Sequence, residues 1–197
     1  MSDIGQKCPE VLSAFLGDYS RRLSASEIAR ETEVERRTVS RVLNKMVDLN
    51  LIRFVIQGKN KLFYLDLEGV NTFSLLNIVE INKSINFNFN NKKVSLIVSK
   101  LMNASEGCVV FGSYASGSSG KDSDLDVLLL GRVNLDDVKR IKKISNIEVN
   151  EHVVNFSDFE KLIKKHDALA LEILANHIVF GDVSKVVKMF LEVFRNG

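Results

Sequence analysis

Residues 111–130, FGSYASGSSGKDSDLDVLLL, decide the fold of the C-terminal half of the chain. An apolar segment ends in Gly112 and Ser113, a loop of small residues follows, and Asp124 and Asp126 flank a leucine at the start of a second apolar segment. Because side chains alternate between the two faces of a strand, the aspartates share one face and the leucine faces the core. Two carboxylates held that close repel each other, and a hard divalent cation relieves the repulsion. The stretch therefore predicts two strands, with a metal-binding position at the start of the second.

The turn between the two apolar segments has the chemistry of a phosphate-binding loop. Gly112 lets the backbone approach a phosphate without a Cβ in the way, and Ser113 adds a hydroxyl. The N–H groups of the turn, and of any helix that begins there, favour an anion. The arrangement predicts a nucleoside triphosphate held between this turn and Mg²⁺ (or Mn²⁺) at the aspartates. The alternative is a chance glycine–serine loop with solvated aspartates.

A Gly-Ser turn followed about ten residues later by Asp-x-Asp resembles the minimal branch of the DNA polymerase β-like nucleotidyltransferase superfamily. The resemblance covers about residues 92–182. It implies a transferase that moves a nucleoside monophosphate, with ATP as the expected donor, to an acceptor hydroxyl. It also implies metal binding by both aspartates and nucleotide contacts from the turn. The residues that match the pattern are Gly112, Ser113, Ser123, Asp124 and Asp126.

The family also uses a third carboxylate on the next strand, as a metal ligand and as a base for the attacking hydroxyl. That strand is expected over 147–155, where alternation puts Glu148 and Asn150 on one face. Glu148 is the choice for the third catalytic and metal-binding residue, and alignment on the following helix leaves Asn150 as the alternative. Asn150 in that place would depart from the family pattern, and Ser116 is a second departure, because related proteins often carry an arginine there. Lys121 is the expected replacement for the phosphate contact of that arginine.

The N-terminal part of the chain shows helical periodicity followed by a hairpin pattern. Residues 8–16 repeat apolar side chains at helical spacing, and Ser24 followed by Glu27 has the pattern of a capping box that starts a second helix. A third helix is expected over 35–49. Alternating runs within 52–67, joined by turn-forming residues, predict a β-hairpin.

The third helix and the hairpin concentrate positive charge. Residues 35–61 contain seven basic and two acidic residues, a local charge of +5 in a chain whose total is +2. The elements over residues 8–67 resemble the winged helix-turn-helix of bacterial and archaeal transcriptional regulators, which implies binding of double-stranded DNA. Lys59 and Lys61 are expected at the hairpin tip, where they meet phosphate. The alternative is a winged helix that contacts protein. The candidate DNA-binding residues are Arg36, Arg37, Ser40, Arg41, Asn44, Lys45, Lys59 and Lys61.

Beyond the hairpin, the pattern predicts a connection and then an alternation of helices and strands. A helix over 72–83 and an Asn-rich linker over 86–91 are expected to join the two domains. The elements expected after them are a helix over 92–104, strands over 108–111 and 125–130, a helix over 134–144, a strand over 147–155, and helices from residue 157 to the end.

The fold class that these elements predict is α+β. The expected domains are a winged helix-turn-helix domain over 1–68, a connecting helix and linker over 69–91, and an α/β nucleotidyltransferase-like domain with a small mixed sheet over 92–197.

The composition is typical of a globular chain without a membrane partner. Of 197 residues, 45% are hydrophobic and 26% are charged, which excludes wholesale disorder. The longest apolar run, 127–130, is far shorter than the roughly 20 residues of a membrane helix. Cys8 and Cys108 lie far apart without metal-ligand spacing, which is typical of a reducing, cytoplasmic setting.

Two hypotheses about function follow from these features. The first is an enzyme, a metal-dependent nucleotidyltransferase, whose acceptor the resemblance extends to a hydroxyl on a partner protein such as a toxin. The second is a DNA-binding transcriptional regulator whose nucleotidyltransferase-like domain binds nucleotide or a partner without turnover. The third carboxylate separates them, because an asparagine in its place cannot act as a base. A homodimer is compatible with both.

Overall fold

The computed structural model describes residues 3–195, with side chains from residue 7 onward. The chain divides into an N-terminal unit, Met1–Val79 with Phe194–Asn196, and a C-terminal unit, Glu80–Val193. Among residues 3–195, no helix has both the length and the apolar character needed to cross a membrane.

The N-terminal unit combines short helices with a small antiparallel sheet. Its elements are α1 (Asp3–Leu12), β1 (Leu23–Ser24), α2 (Ala25–Thr32), α3 (Arg36–Asp48), β2 (Arg53–Gln57) and β3 (Asn60–Tyr64). The first helix begins earlier than its periodicity predicts and ends in a 3-10 turn, Ser13–Phe15. The expected hairpin of β2 and β3 is confirmed, and β1 adds a third strand in the order β1-β3-β2 that the sequence did not indicate.

The local signals for α2 and α3 are confirmed. The N–H of Glu27 donates to Ser24 Oγ at 3.3 Å, and the N–H of Ser24 donates to the Glu27 carboxylate at 2.7 Å, which completes the capping box. The hydrogen bonds from the hydroxyl and N–H of Ser24 hold the pKa of Glu27 below its usual value. The apolar stripe of α3 is buried as expected, and its core members are Val39, Val42, Leu43 and Met46.

The helix that follows the hairpin is longer than the sequence predicts. It is α4 (Thr72–Asn90), and it runs through the Asn-rich stretch for which the composition predicts a linker. That prediction is wrong because Phe87 is only 4% exposed and its ring meets the Phe180 ring with centroids 5.7 Å apart. Tertiary packing of this ring therefore outweighs the low helix propensity of the neighbouring asparagines.

The C-terminal unit alternates helices and strands. Its elements after α4 are α5 (Lys92–Ala104), β4 (Ser105–Val110), α6 (Gly112–Ser116), β5 (Leu125–Val133), α7 (Leu135–Ile144), β6 (Val149–Val154), α8 (Phe156–Lys164), α9 (Ala168–Ala175), β7 (Ile178–Gly181) and α10 (Val183–Arg195). The expected helices and strands up to β6 are confirmed, although several ends differ by a few residues. The expected run of helices to the end is wrong, because β7 interrupts it.

The strands of the C-terminal unit form the small mixed sheet that the sequence predicts. They lie in the order β6-β5-β4-β7, with β5 and β6 parallel and the other pairs antiparallel. Leu125, Val127 and Leu129 of β5 belong to a core cluster with apolar residues of α5 and α7. The alternate side chains of β5 therefore face the other side of the sheet. β4 ends at the edge where β5 and β6 begin, so the loops at that edge come together.

Candidate functional site

The turn after β4 brings its backbone directly against a carboxylate. The N–H of Phe111 donates to the Asp126 carbonyl at 3.1 Å, and Gly112 follows with φ +64°. A Cβ added to Gly112 would lie only 2.4 Å from Asp126 Oδ2. Glycine is therefore required at this position twice over, by the left-handed backbone and by the carboxylate beside it.

The loop from Gly112 to Ser123 is ordered by its own serines. The Ser113 carbonyl accepts from the N–H groups of Ser118 and Ser119 at 3.0 and 3.1 Å, and from the Ser116 hydroxyl at 3.1 Å. Ser123 Oγ accepts from the Gly120 N–H at 2.8 Å. Ser123, expected to contact nucleotide, thus braces the loop, whereas the Ser113 hydroxyl makes no hydrogen bond to the part of the chain that the structure describes.

The two aspartates occupy the positions that strand alternation predicts. Asp124 is exposed just before β5, and Asp126 is half-buried within it. Leu125 and Val127 are completely buried in the opposite direction. Asp124 and Asp126 therefore face the same side of the sheet, at the edge where the glycine–serine turn lies.

The residue beside Asp126 on the next strand is an asparagine. β6 pairs with β5 so that Asn150 is opposite Asp126, and Asn150 Nδ2 donates to Asp126 Oδ1 at 3.2 Å. Glu148 is exposed ahead of the strand, and its carbonyl accepts from the Leu125 N–H at 2.8 Å. The same register puts Glu148 level with Asp124, at the outer end of the site.

The three expected carboxylates do not form a ready-made cluster among the described residues. Among residues 3–195, no group of three or more His, Cys, Asp or Glu side chains could hold a metal ion. The strand register gives the place next to Asp126 to Asn150 and the place next to Asp124 to Glu148, so Glu148 as the third metal ligand stays a prediction. The oxygens of the two aspartates and of the Asn150 amide are nevertheless the donors that Mg²⁺ prefers.

Lys121 is exposed in the loop that precedes Asp124. It lines a cleft of about 930 Å³ on the α5 side of the sheet, and neither Asp124 nor Asp126 belongs to the wall of that cleft. Lys92, Lys93 and Lys100 also line the cleft, and the sequence interpretation missed all three. The available signal was the spacing of Lys93 and Lys100, which are seven residues apart on one face of a helix that the sequence does predict.

The basic face of the N-terminal unit is exposed in large part. Arg36, Arg37, Arg41, Asn44 and Lys45 are exposed on α3, and Ser40 is half-buried between them. The hairpin closes at the Gln57–Asn60 pair, so Gly58 and Lys59 form its two-residue turn. Lys59 is at the tip as expected.

The expected position of Lys61 at the hairpin tip is wrong. Its ammonium donates to Asn44 Oδ1 at 2.8 Å and lies 4.0 Å from the centroid of the Phe54 ring. Both contacts draw the side chain back from the tip towards α3, since the carboxamide and the ring face offer it two favourable partners.

Comparison with known proteins finds one similarity, in the part of the chain that carries the carboxylates. Residues 91–179 match the family model described as the nucleotidyltransferase domain. This range contains the glycine–serine turn, both aspartates and Asn150, so the part of the chain that carries the candidate site is similar to that domain. Searches among curated proteins and among solved structures each found no match to the chain.

Proposed function

We propose that the C-terminal unit is a metal-dependent nucleotidyltransferase that transfers the nucleoside monophosphate of an NTP, with ATP as the donor, to an acceptor hydroxyl and releases pyrophosphate. The observation that carries this proposal is the Asp126 carboxylate held against the backbone of Gly112. This contact joins the two halves of the site, the turn that faces phosphate and the pair of carboxylates. The family match over residues 91–179 supports the same reaction class.

The residues of the site have separate roles in this proposal. Asp124 and Asp126 would hold Mg²⁺ or Mn²⁺, which supplies charge neutralisation of the triphosphate. Gly112 lets the Asp126 carboxylate lie directly against the turn, and the unpartnered Ser113 hydroxyl can donate to a phosphate oxygen. Asn150 orients Asp126 through its amide N–H. The turn and the carboxylates thereby position the α-phosphate for in-line attack.

A second candidate is supported by Asn150. An amide cannot accept the proton of an attacking hydroxyl, and the acidic Glu148 is at the outer end of the site. The domain of this second candidate binds nucleotide or a partner without turnover, as the sensing half of a transcriptional regulator. The two candidates share the nucleotide site and differ in whether a bond is broken.

We also propose that the N-terminal unit is a winged helix-turn-helix that binds double-stranded DNA. The support is the exposed basic face of α3, opposite its buried stripe, together with Lys59 at the hairpin tip. In this proposal α3 enters the major groove and the hairpin meets phosphate. A protein acceptor such as a toxin, and a homodimer that reads a symmetric operator, are compatible with this arrangement.

The deciding experiment measures transfer and binding together. Purified protein is incubated with α-labelled ATP, Mg²⁺ and a cell lysate, and binding of ATP is followed in parallel by thermal shift. We expect the wild type to label an acceptor and the Asp124→Asn/Asp126→Asn variant to lose both signals. Wild type that binds ATP but labels nothing, while Asn150→Asp does label an acceptor, supports the regulator instead. Absence of ATP binding by the wild type contradicts both candidates.

A further inference from the structure

A lysine-rich cleft lies at the same edge of the sheet as the aspartates but on its other face. It has a volume of about 930 Å³, and we call it the lysine cleft after its four basic residues, Lys92, Lys93, Lys100 and Lys121. Its walls come from the start of α5, from the loop at 120–122 and from the segment between α7 and β6. Neither Asp124 nor Asp126 belongs to these walls, and the loop at 120–122 directly precedes both aspartates in the sequence.

The charges around the lysine cleft are uncompensated. None of its four lysines forms an ion pair with the part of the chain that the structure describes, and Asp122 is the single acidic residue among the described residues of its lining. Elsewhere in the same unit, Lys161 and Lys164 pair with carboxylates at 2.8 and 2.6 Å. Four like charges left unpaired around one concave surface attract an anion, because an anion relieves their mutual repulsion.

The backbone at the mouth of the cleft adds to the positive electrostatic potential of the four lysines. α5 begins at Lys92, and the side chain of its N-cap residue Asn91 makes no capping hydrogen bond. The amide of Asn91 instead donates backwards to the Phe87 carbonyl at 3.1 Å. The first turn of a helix of 13 residues thus keeps its positive end towards the cleft.

The cleft also exposes apolar surface that a simple phosphate would not need. Phe89 is 73% exposed, Leu96 is 68% exposed and Ile144 is 60% exposed, and all three line the cleft. The ring of Tyr114 and the amide of Asn146 complete this part of the wall. The exposed Phe89 ring beside a row of lysines provides the two parts of a surface for single strands, stacking for a base and cations for the phosphate backbone.

We propose that the lysine cleft binds single-stranded nucleic acid. The lysines take the phosphates, and the exposed Phe89 ring stacks with a base.

The test is fluorescence anisotropy of labelled single-stranded RNA and DNA, about 12 nucleotides long, with the full chain. The Lys93→Glu/Lys100→Glu variant reverses two cleft charges. Its matched control is Lys165→Glu/Lys188→Glu, which reverses two exposed lysines of the same unit outside the cleft. We expect the cleft variant to weaken binding by at least about tenfold, with little effect of the control. The salt slope, which is the steepness with which the logarithm of the binding constant falls with the logarithm of the salt concentration, should decrease by about 2 in the cleft variant. Phe89→Ala should weaken binding by about fivefold or more without lowering the salt slope.

The outcomes separate this proposal from the preceding one. The thermal shift with Mg²⁺–ATP should be the same in wild type, cleft variant and control, because none of the changed residues touches the nucleotide site. Equal weakening by the two double variants, or no binding by the wild type at low salt, would overturn the single-strand site. An acidic peptide of equal charge that displaces the oligonucleotide as effectively as unlabelled oligonucleotide does would also overturn it. The surface would then select charge alone.

Discussion

Alanine at Gly112 and alanine at Gly117 form a matched pair that tests the geometry of the nucleotide site. Gly112 and Gly117 have φ values of +64° and +74°. A left-handed backbone costs a residue with a Cβ about 1–2 kcal/mol, so both substitutions should lower the free energy of unfolding by that amount. The difference lies in the surroundings. The new Cβ at Gly112 would lie 2.4 Å from Asp126 Oδ2, whereas the one at Gly117 would have nothing within 4 Å. Only Gly112→Ala therefore pushes the Asp126 carboxylate out of place.

The assay for this pair is urea denaturation with and without Mg²⁺–ATP. At a ligand concentration about a hundredfold above the dissociation constant, wild type and Gly117→Ala should gain about 2.7 kcal/mol of unfolding free energy. Gly112→Ala should gain much less, because a displaced Asp126 cannot hold the metal in register with the turn. An equal gain in the two variants would refute the claim that the contact between Gly112 and Asp126 builds the site.

Three further predictions concern other parts of the chain. Ser24→Ala should lower the unfolding free energy of the N-terminal unit by about 1 kcal/mol through loss of the capping box, as measured by chemical denaturation. Lys59→Ala should weaken binding to duplex DNA of any sequence and lower the salt slope by about 1, whereas Lys61→Ala should change the slope less, because Lys61 already contacts Asn44. Hydrogen bonds from Lys185 and then Arg132 hold the pKa of Glu106 at about 2, below its usual 4.5. The stabilisation from Glu106 is thus complete above about pH 4.5 and is lost as the pH falls towards 2. Denaturation at a series of pH values should show a shallower acid loss in Glu106→Gln than in wild type.

Features of the fold encoded by neighbouring residues could be predicted from the sequence. The capping box at Ser24, the buried stripe of α3 and the alternation around Asp124 and Asp126 all depend on contacts within a few residues. Such local signals fix element type with little help from the rest of the molecule. They also place the glycine–serine turn and the aspartates at one edge of the sheet, as the structure confirms.

Features that depend on distant partners could not be predicted in this way. β7 is a run of four residues, and a run that short has no periodicity that separates strand from helix. The end of α4 depends on Phe180, ninety-three residues after Phe87 in the sequence. The choice between Glu148 and Asn150 depends on strand register, because residues two apart share a face and alternation cannot distinguish them.

The most direct test of the central claim is isothermal titration of the full chain with ATP in the presence of Mg²⁺, compared with the same titration of Asp124→Asn/Asp126→Asn. The double change keeps the shape of both side chains and removes their charge, so the fold and the DNA affinity should be preserved. We predict one binding event per chain in the wild type and none in the double variant. Equal binding by the two proteins, or no binding by the wild type, would contradict a nucleotide site built on Asp124 and Asp126.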